Sequence, residues 1–211
     1  GPSPSRIIMA LKTNRRIMMD TQTIHSDEVK ALRIFYAEDE TNITKGTALI
    51  FGPEGSIYED LPVFLEIEFP ADYPFTNPKV KFVTYDGRTR FHPNLYVEGK
   101  VCLSILGTWQ GPSWTSVMTL KTVLLSIMGL LDEEPLLHEP GYTTLKGTQK
   151  SKDYSSFVEH SCLRYIVGSL EQFSKKVTNY PLSLFEEEFA SQACQIYNRT
   201  LERLKRLAEK P

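Results

Sequence analysis

Hydrophobic positions recur with a period of two in three short segments in the first half of the chain, residues 32–36, 63–69 and 80–84. A fourth short segment, residues 47–51, is mostly apolar and is ended by the turn cluster Gly52-Pro53-Glu54-Gly55. Alternation of this kind predicts β-strands, and strands that follow one another through short connections favour antiparallel pairing. We therefore predict a four-stranded antiparallel meander.

The hydrophobic period changes to that of a helix before the predicted sheet. Within residues 5–19, Ile7, Ile8, Leu11 and Met18 fall on one helical stripe, and the basic residues lie mostly outside it. This pattern predicts an amphipathic N-terminal helix whose apolar stripe faces the protein core and whose basic face is exposed.

Helical periods return after a long segment, residues 86–116, that has little periodicity. Apolar stripes predict a central helix around residues 120–131, packed on the sheet, and a second helix around residues 154–170. A final helix is predicted to begin at Ser183, because Glu186 follows at the spacing of a capping box. The order of helix, four strands, long loop and three helices predicts an α+β fold.

Composition and charge narrow the range of possible functions. The formal net charge is −2, which does not point to nucleic acid as the main partner, and no apolar run approaches the ~20 residues of a membrane span. Three widely spaced cysteines without a CxxC pair argue against a disulfide framework and a zinc site. We expect no metal or cofactor, and a reducing compartment, the cytoplasm or the nucleus.

The segment with little periodicity contains a distinctive motif. His92-Pro93-Asn94 is followed, eight residues after Asn94, by Cys102, and the proline-rich stretch 70–78 precedes it. This combination resembles the active site of ubiquitin-conjugating enzymes. The resemblance covers roughly residues 5–142, so it implies the fold of that family, with a catalytic core over residues 4–145 and a C-terminal helical extension of the same domain over residues 146–211.

The resemblance also implies a reaction and its partners. Cys102 would accept ubiquitin, or a ubiquitin-like protein, from an activating enzyme as a thioester and pass it to a substrate lysine or to a ubiquitin ligase. Cysteine suits both steps because a thiolate is a good nucleophile and a good leaving group. Asn94 is implied either to stabilise the oxyanion that forms on the ubiquitin carbonyl or to hold the loop, and the sequence leaves both roles open.

The motif histidine is implied to be structural rather than a base. In the family, this histidine holds the loop by hydrogen bonds. Pro93 has a fixed φ and favours an extended conformation at His92. A second histidine, His138, stands where many family members have an aspartate or asparagine that orients the incoming lysine. Because histidine titrates near neutral pH, we expect that His138 takes the lysine proton, with a solvated surface histidine as the alternative.

Residues that contact partners are also implied by position. The basic side chains of the N-terminal helix match the surface that meets the acidic domain of an activating enzyme, with an ordinary solvated face as the alternative. Phe75 matches a phenylalanine that contacts ligases, and Trp114 opens a segment that replaces the family's Trp-Ser-Pro-Ala motif. The basic residues are Arg6, Lys12, Arg15 and Arg16.

Several residues point to a subgroup of the family. Ser104 stands where common members often carry an aspartate. The stretch from Cys102 to Trp114 and the segment His138-Glu139-Pro140-Gly141-Tyr142 resemble the larger Use1-type conjugating enzymes. This resemblance implies a member whose choice of ligase differs from that of the commonest relatives.

Three other functions remain to be weighed. A non-catalytic binding module of the same fold would lack the cysteine. A cysteine hydrolase using Cys102 with His92 or His138 needs a third group to orient the base, and none is evident in the sequence. A purely structural domain would leave the glycine-rich loop unexplained. Cys162 and Cys194 lie on apolar helical stripes, so we expect both to be buried small hydrophobic residues.

Overall fold

The computed structural model describes residues 1–210 and contains one antiparallel sheet. Its strands pair in sequence order, so the predicted meander and the α+β class are confirmed. The register places Leu49 opposite Phe64 and Ile67 opposite Val80. The strands are β1 (Ile34–Glu38), β2 (Lys45–Phe51), β3 (Pro62–Glu68) and β4 (Lys79–Phe82).

Within residues 1–210, six α-helices and four 3₁₀ turns accompany the sheet. No helix among residues 1–210 is both long and apolar enough to cross a membrane. The helices are α1 (Pro4–Ile24), α2 (Asp27–Lys30), α3 (Leu120–Met128), α4 (Gln149–Ser174), α5 (Glu186–Ala190) and α6 (Ala193–Ala208). The 3₁₀ turns are Ser104–Leu106, Pro135–His138, Thr143–Leu145 and Leu182–Phe185.

Helix α3 is the central helix that the sequence predicted. Thr119 caps its N-terminus and forms a reciprocal capping box with Thr122. Its apolar stripe, Leu120, Val123, Leu124 and Ile127, is fully buried in the same hydrophobic core as the strands. The end of α3 is therefore held in the core, and the segment that follows begins from this position.

The C-terminal segment packs against aromatic side chains of the sheet. Phe51 of β2 stacks on Phe189 of α5 at 6.4 Å between ring centroids, and Phe64 of β3 lies 5.9 Å from Phe185. Successive residues of β2 and β3 are consequently buried, which a sheet with one solvated face does not show. The helices after α4 thus complete the core.

A buried carboxylate fastens α6 to the connection between β2 and β3. Asp60 is fully buried, and Arg199 donates two hydrogen bonds to it at 2.8 and 2.9 Å. Arg33 lies at ion-pair distance, 2.8 Å, from the same carboxylate. One turn further along α6, Arg203 donates to the carbonyl oxygens of Ile57 and Glu59.

The predicted orientation of the N-terminal helix is wrong. Ile7, Ile8, Leu11 and Met18 are 47–63% exposed, and the helix extends beyond the predicted residues 5–19. The opposite face contacts the protein instead, through Thr13, Ile17, Asp20, Thr21 and Ile24. Polar contacts fix this face, because the Asp20 carboxylate accepts hydrogen bonds from Tyr73 and from the backbone of Leu120.

Two further predictions for the C-terminal segment are wrong. A 3₁₀ turn and the short α5 precede α6, so no single helix begins at Ser183, and no side-chain hydrogen bond caps either of the first two elements. Cys162 is buried as expected, but Cys194 is exposed. Cys194 lies in the first turn of α6, directly after the interruption between α5 and α6, and its side chain is exposed.

We predict that Asp60→Asn lowers the free energy of unfolding by about 3 kcal/mol. Loss of one partner from a buried ion pair costs ~3–5 kcal/mol, and the lower end applies because both arginines retain contact with water. Asparagine tolerates the positive φ of 68° at this position, so the effect reports the charge. Urea unfolding measures the change through the midpoint at constant m-value.

The matched control is Glu202→Gln, a charge removal on the exposed face of α6. Surface substitutions of this kind change stability by no more than about 0.5 kcal/mol. Equal unfolding midpoints for the two variants would contradict the role assigned to Asp60.

Candidate active site

The His92-Pro93-Asn94 segment forms a tight turn inside the protein. The Leu95 backbone N–H donates to the carbonyl oxygen of His92 at 3.0 Å, which closes the turn. His92 is fully buried, and both of its ring nitrogens have partners. Nδ1 accepts from the Asn94 backbone N–H at 2.9 Å, and Nε2 donates to the Leu130 carbonyl oxygen at 2.7 Å. The imidazole thereby connects the turn to the segment at the end of α3.

The environment of His92 keeps its ring neutral. Burial, and after it the charge of His138, lowers the pKa of His92 to about 3. The lone pair of Nδ1 is occupied by the Asn94 N–H, so the ring has no free site for a proton from a nucleophile. The geometry therefore suits a structural role for His92.

Asn94 and Cys102 bind each other through two hydrogen bonds. The Cys102 backbone N–H donates to the Asn94 carbonyl oxygen at 2.8 Å, and the Asn94 side-chain Nδ2 donates to the Cys102 carbonyl oxygen at 2.8 Å. Asn94 is buried, and its Oδ1 has no hydrogen-bond partner within residues 1–210. Both backbone polar groups of the candidate nucleophile are thus held by a single residue of the motif.

Thr108 holds the residues on both sides of Cys102. Its hydroxyl donates to the Val101 carbonyl oxygen at 2.7 Å and accepts from the Leu103 N–H at 2.9 Å. The chain reverses to bring Thr108 back through Gly107, which has a φ of +70° that favours glycine. The sequence did not single out Thr108, because threonine in an irregular segment carries no distinctive pattern.

The three cysteines occupy different environments. Cys102 is buried in the isolated chain, with 1% of its surface exposed, and it lies in the motif segment. Cys162 is buried in α4, where burial raises the pKa of its thiol far above the usual value. Cys194 is exposed on α6. Only Cys102 is bonded to the His92 turn.

His138 lies beside the motif and is held by an aspartate. Its ring packs against that of His92 at 4.8 Å between centroids, and its Nε2 lies 2.6 Å from Asp132 Oδ2. Burial acts to raise the pKa of Asp132, but the hydrogen bond to His138 and the charge of that histidine outweigh it and lower the pKa. Asp132 is therefore an ionised carboxylate that orients His138.

Sequence reasoning did not find Asp132. It precedes Glu133 and Glu134, so it belongs to an acidic run that is typical of a solvated turn. The Glu134 backbone N–H also donates to Asp132, at 3.1 Å, which fixes the carboxylate. Asp132 is an orienting group for a histidine, although the sequence made none evident. No hydrogen bond joins the Cys102 thiol to an imidazole within residues 1–210.

The basic residues of α1 separate into two groups. Arg6, Lys12 and Arg15 are exposed and lie on the part of the helix that projects from the core or on its outer face. Arg16 instead makes contacts inside the chain, where it donates to the carbonyl oxygens of Ser116 and Met118 at 3.0 and 2.6 Å. Arg16 therefore fastens α1 to the segment that precedes α3.

Phe75 and Trp114 lie on two loops that contact each other. The Trp114 indole N–H donates to the Pro74 carbonyl oxygen at 2.7 Å, and its ring packs against Tyr73. Phe75 itself is 68% exposed. The two loops form a surface separate from the His92 turn, with Phe75 as its protruding apolar side chain.

We predict that protonation of His92 destabilises the protein in acid. Because the folded-state pKa, about 3, lies below the unfolded value, about 6.5, the unfolded chain takes up the proton first as the pH falls. The contribution of neutral His92 to the free energy of unfolding is fully present above pH ~6.5, and about 2 kcal/mol of it is lost by pH 5. Urea unfolding at several pH values measures this loss. His92→Gln should lack this acid-dependent loss of stability, whereas His160→Gln, at an exposed site, should retain it. If the free energy of unfolding changes equally with pH in the two variants, the prediction is refuted.

The family model for ubiquitin-conjugating enzymes matches residues 16–162, which is more than half of the chain. Two similar proteins are named ubiquitin-conjugating enzyme E2 Z. That of Xenopus tropicalis is 36% identical over 175 residues, covering 82% of this chain and 55% of the relative. That of Homo sapiens is 39% identical over 153 residues, covering 72% of this chain and 43% of the relative.

A plant relative shows the same level of similarity. The putative ubiquitin-conjugating enzyme E2 38 of Arabidopsis thaliana is 41% identical over 160 residues, covering 70% of this chain and 48% of the relative. The chain spans about half the length of the curated relatives it matches. The resemblance drawn from the His92–Cys102 segment is confirmed, and the chain belongs to the ubiquitin-conjugating enzyme family.

Proposed function

We propose that this protein accepts ubiquitin, or a ubiquitin-like protein, from an activating enzyme as a thioester on Cys102 and transfers it to a lysine of a substrate or to a ligase. The observation that carries the proposal is the pair of hydrogen bonds between Asn94 and Cys102, anchored to the core through His92. This arrangement holds one cysteine of three in a fixed position within the family's motif.

In the first step, Cys102 exchanges one thioester for another. Its thiolate attacks the modifier's carbonyl carbon, the bond from that carbon to Cys102 Sγ forms, and the bond to the activating enzyme's sulfur breaks. The thiolate of the activating enzyme leaves, so the bond energy is nearly conserved and no oxidant or reductant is needed. The ATP used by the activating enzyme supplies the free energy upstream.

In the second step, a lysine amine attacks the same carbonyl carbon. An amide bond forms, the bond to Cys102 Sγ breaks, and the amine loses a proton. A thiolate leaves more readily than an alkoxide, which favours cysteine over serine at this position. When a ligase carries its own cysteine, that thiolate takes the place of the amine.

For Asn94 we propose a positioning role. One N–H of its side-chain amide donates to the Cys102 carbonyl oxygen, so the side chain holds the nucleophile's backbone. Asn94 also accepts the Cys102 N–H through its own carbonyl oxygen. The geometry supports the second of the two roles that the family resemblance implies.

For His138 we propose the role of proton acceptor for the lysine. The Asp132 carboxylate accepts only from a protonated nitrogen, so it keeps the proton of the neutral ring on Nε2. The lone pair then resides on Nδ1, which can take the lysine proton. The resulting imidazolium is stabilised by the adjacent carboxylate, as in other Asp–His pairs.

A cysteine hydrolase is the alternative that the Asp132–His138 pair brings back into consideration. A hydrolase needs direct contact between its thiol and its base. Nε2 of His138 is hydrogen-bonded to Asp132. In the part of the chain that the structure describes, no hydrogen bond joins the His138 ring to Cys102. This geometry favours the transferase, in which the base serves an incoming amine.

The partner surfaces are proposed from charge and exposure. Arg6, Lys12 and Arg15 would meet an acidic surface of the activating enzyme, which accelerates encounter more than it strengthens binding. Arg16 would act indirectly by holding α1 in place. Phe75, with the loop of Trp114 beside it, would contact a ligase. We place the reaction in the cytoplasm or the nucleus.

We predict that incubation with an activating enzyme, ATP and ubiquitin gives an adduct that a reductant removes. Cys102→Ala should abolish it completely, and Cys102→Ser should give an oxyester adduct that resists reductant, because oxygen replaces sulfur in the bond. Gels run with and without reductant measure both results.

Cys194→Ala is the matched control, because Cys194 is the exposed cysteine and would form any adventitious disulfide. This variant should charge as fully as the wild type. Retention of a reductant-sensitive adduct by Cys102→Ala would contradict the proposal.

We predict that His138→Ala lowers the rate of lysine discharge from the thioester about 100-fold at pH 7.5, the lower end of general-base contributions. Asp132→Asn should also slow discharge, because the carboxylate orients His138 and stabilises the imidazolium that forms. Single-turnover discharge to free lysine at about pH 7.5 measures both effects.

His160→Ala, at an exposed site on α4, serves as the control and should discharge at the wild-type rate. If the His138 and Asp132 variants also keep the wild-type rate, the histidine is not the proton acceptor.

A further inference from the structure

An open groove of about 860 Å³ runs beside the His92 turn. One wall is the segment that leads into the turn, including Arg88 and Arg90, and another is the segment after the 3₁₀ turn that carries His138. Helix α4 closes the groove with Phe157 and Arg164. The groove is distinct from the surface formed by Phe75 and Trp114.

The groove is basic. Arg88, Arg90 and Arg164 line it, whereas Glu139 is its one acidic residue. Within residues 1–210, none of the three arginines forms an ion pair, unlike Arg33, Arg199 and Arg203, which bind carboxylates. The nearest acid in sequence, Asp86, uses its oxygens on the backbone and hydroxyl groups of its own loop.

The groove also exposes an aromatic side chain. Phe157 belongs to the predicted apolar stripe of α4, yet it is 63% exposed and lines the groove instead of entering the core. Tyr142 and Tyr154 line the same groove and are partly buried. The combination of unpaired arginines with apolar surface suits a polypeptide that carries both carboxylates and a hydrophobic side chain.

The walls of the groove contain the residues next to the reacting groups. Pro93, between His92 and Asn94, lines it, and so does Glu139, which follows His138. Arg90 is oriented on this turn, because it donates to the Pro93 carbonyl oxygen at 2.5 Å and stacks over Tyr96 at 4.2 Å. A chain lying in the groove would therefore pass close to the point at which the lysine must arrive.

We propose that this groove binds an acidic segment of the substrate polypeptide next to the acceptor lysine, with carboxylates on Arg88 and Arg164 and a hydrophobic side chain against Phe157. The inference rests on the proposed function, since it names the substrate class for that site. Arginine is suited to this task because its planar fork can bind a carboxylate through two hydrogen bonds.

Two experiments test the groove. In the first, a fluorescent peptide with the order Phe, Lys, Glu, Glu is titrated with the full chain that carries no ubiquitin. A peptide with Gln in place of both Glu serves as reference. We expect the acidic peptide to bind about tenfold more tightly, as two exposed ion pairs allow, and salt to weaken this preference. Arg88→Glu with Arg164→Glu should remove the preference, whereas Arg206→Glu, on the exposed end of α6, should keep it.

In the second experiment, the chain charged with ubiquitin discharges to the same two peptides and to free lysine under single-turnover conditions. The acidic peptide should be modified about tenfold faster at low peptide concentration, and the double variant should lose this advantage while it discharges to free lysine at the wild-type rate. Because free lysine has no flanking residues, this comparison separates substrate selection from chemistry.

The outcomes distinguish the two proposals. Equal binding of the acidic and neutral peptides, or an undiminished preference in the double variant, would overturn the groove assignment. Displacement of the acidic peptide by an equal concentration of a single-stranded oligonucleotide would overturn it as well, in favour of nucleic acid. If the chain forms no thioester with ubiquitin at all, the result counts against the proposed function. The binding experiment would still decide whether the groove binds an acidic peptide.

Discussion

The position of the candidate nucleophile depends on one buried, neutral imidazole. His92 has both nitrogens bonded, to the carbonyl oxygen of Leu130 and to the backbone of Asn94, and Asn94 in turn binds both backbone polar groups of Cys102. Leu130 follows α3, whose apolar stripe is seated in the core. A continuous series of hydrogen bonds therefore runs from the packed core to the residue that would carry the modifier, and it requires His92 to remain uncharged.

The same anchor serves the groups that would receive the lysine. Asp132 and His138 lie on the segment that follows Leu130, and the His138 ring packs directly on His92. The groove lined by Arg88 and Arg164 also borders this turn, through Pro93. The candidate nucleophile, the proposed proton acceptor and the proposed substrate groove thus share one support, which does not include the exposed part of α1.

The sequence predicted the features that follow from local pattern. Alternation identified three of the strands, and a short apolar run ended by a turn cluster identified the fourth. The His92-Pro93-Asn94 motif, its spacing to Cys102 and the preceding proline-rich stretch together identified the family. It failed where a long-range contact decides the outcome. The apolar stripe of α1 faces outward because Asp20 and its partners fix the other face. Asp132 and Thr108 were missed because ordinary residues acquire a role here only through a partner that the fold brings to them.

The most direct test of the account is to locate the modifier on the charged chain. The thioester can be quenched in acid, digested with pepsin at low pH, and mapped by mass spectrometry. We predict that the C-terminal peptide of ubiquitin is attached to Cys102 and to neither of the other two cysteines. Attachment to Cys194 or Cys162, or to lysines alone with Cys102 unmodified at every time point, would contradict it.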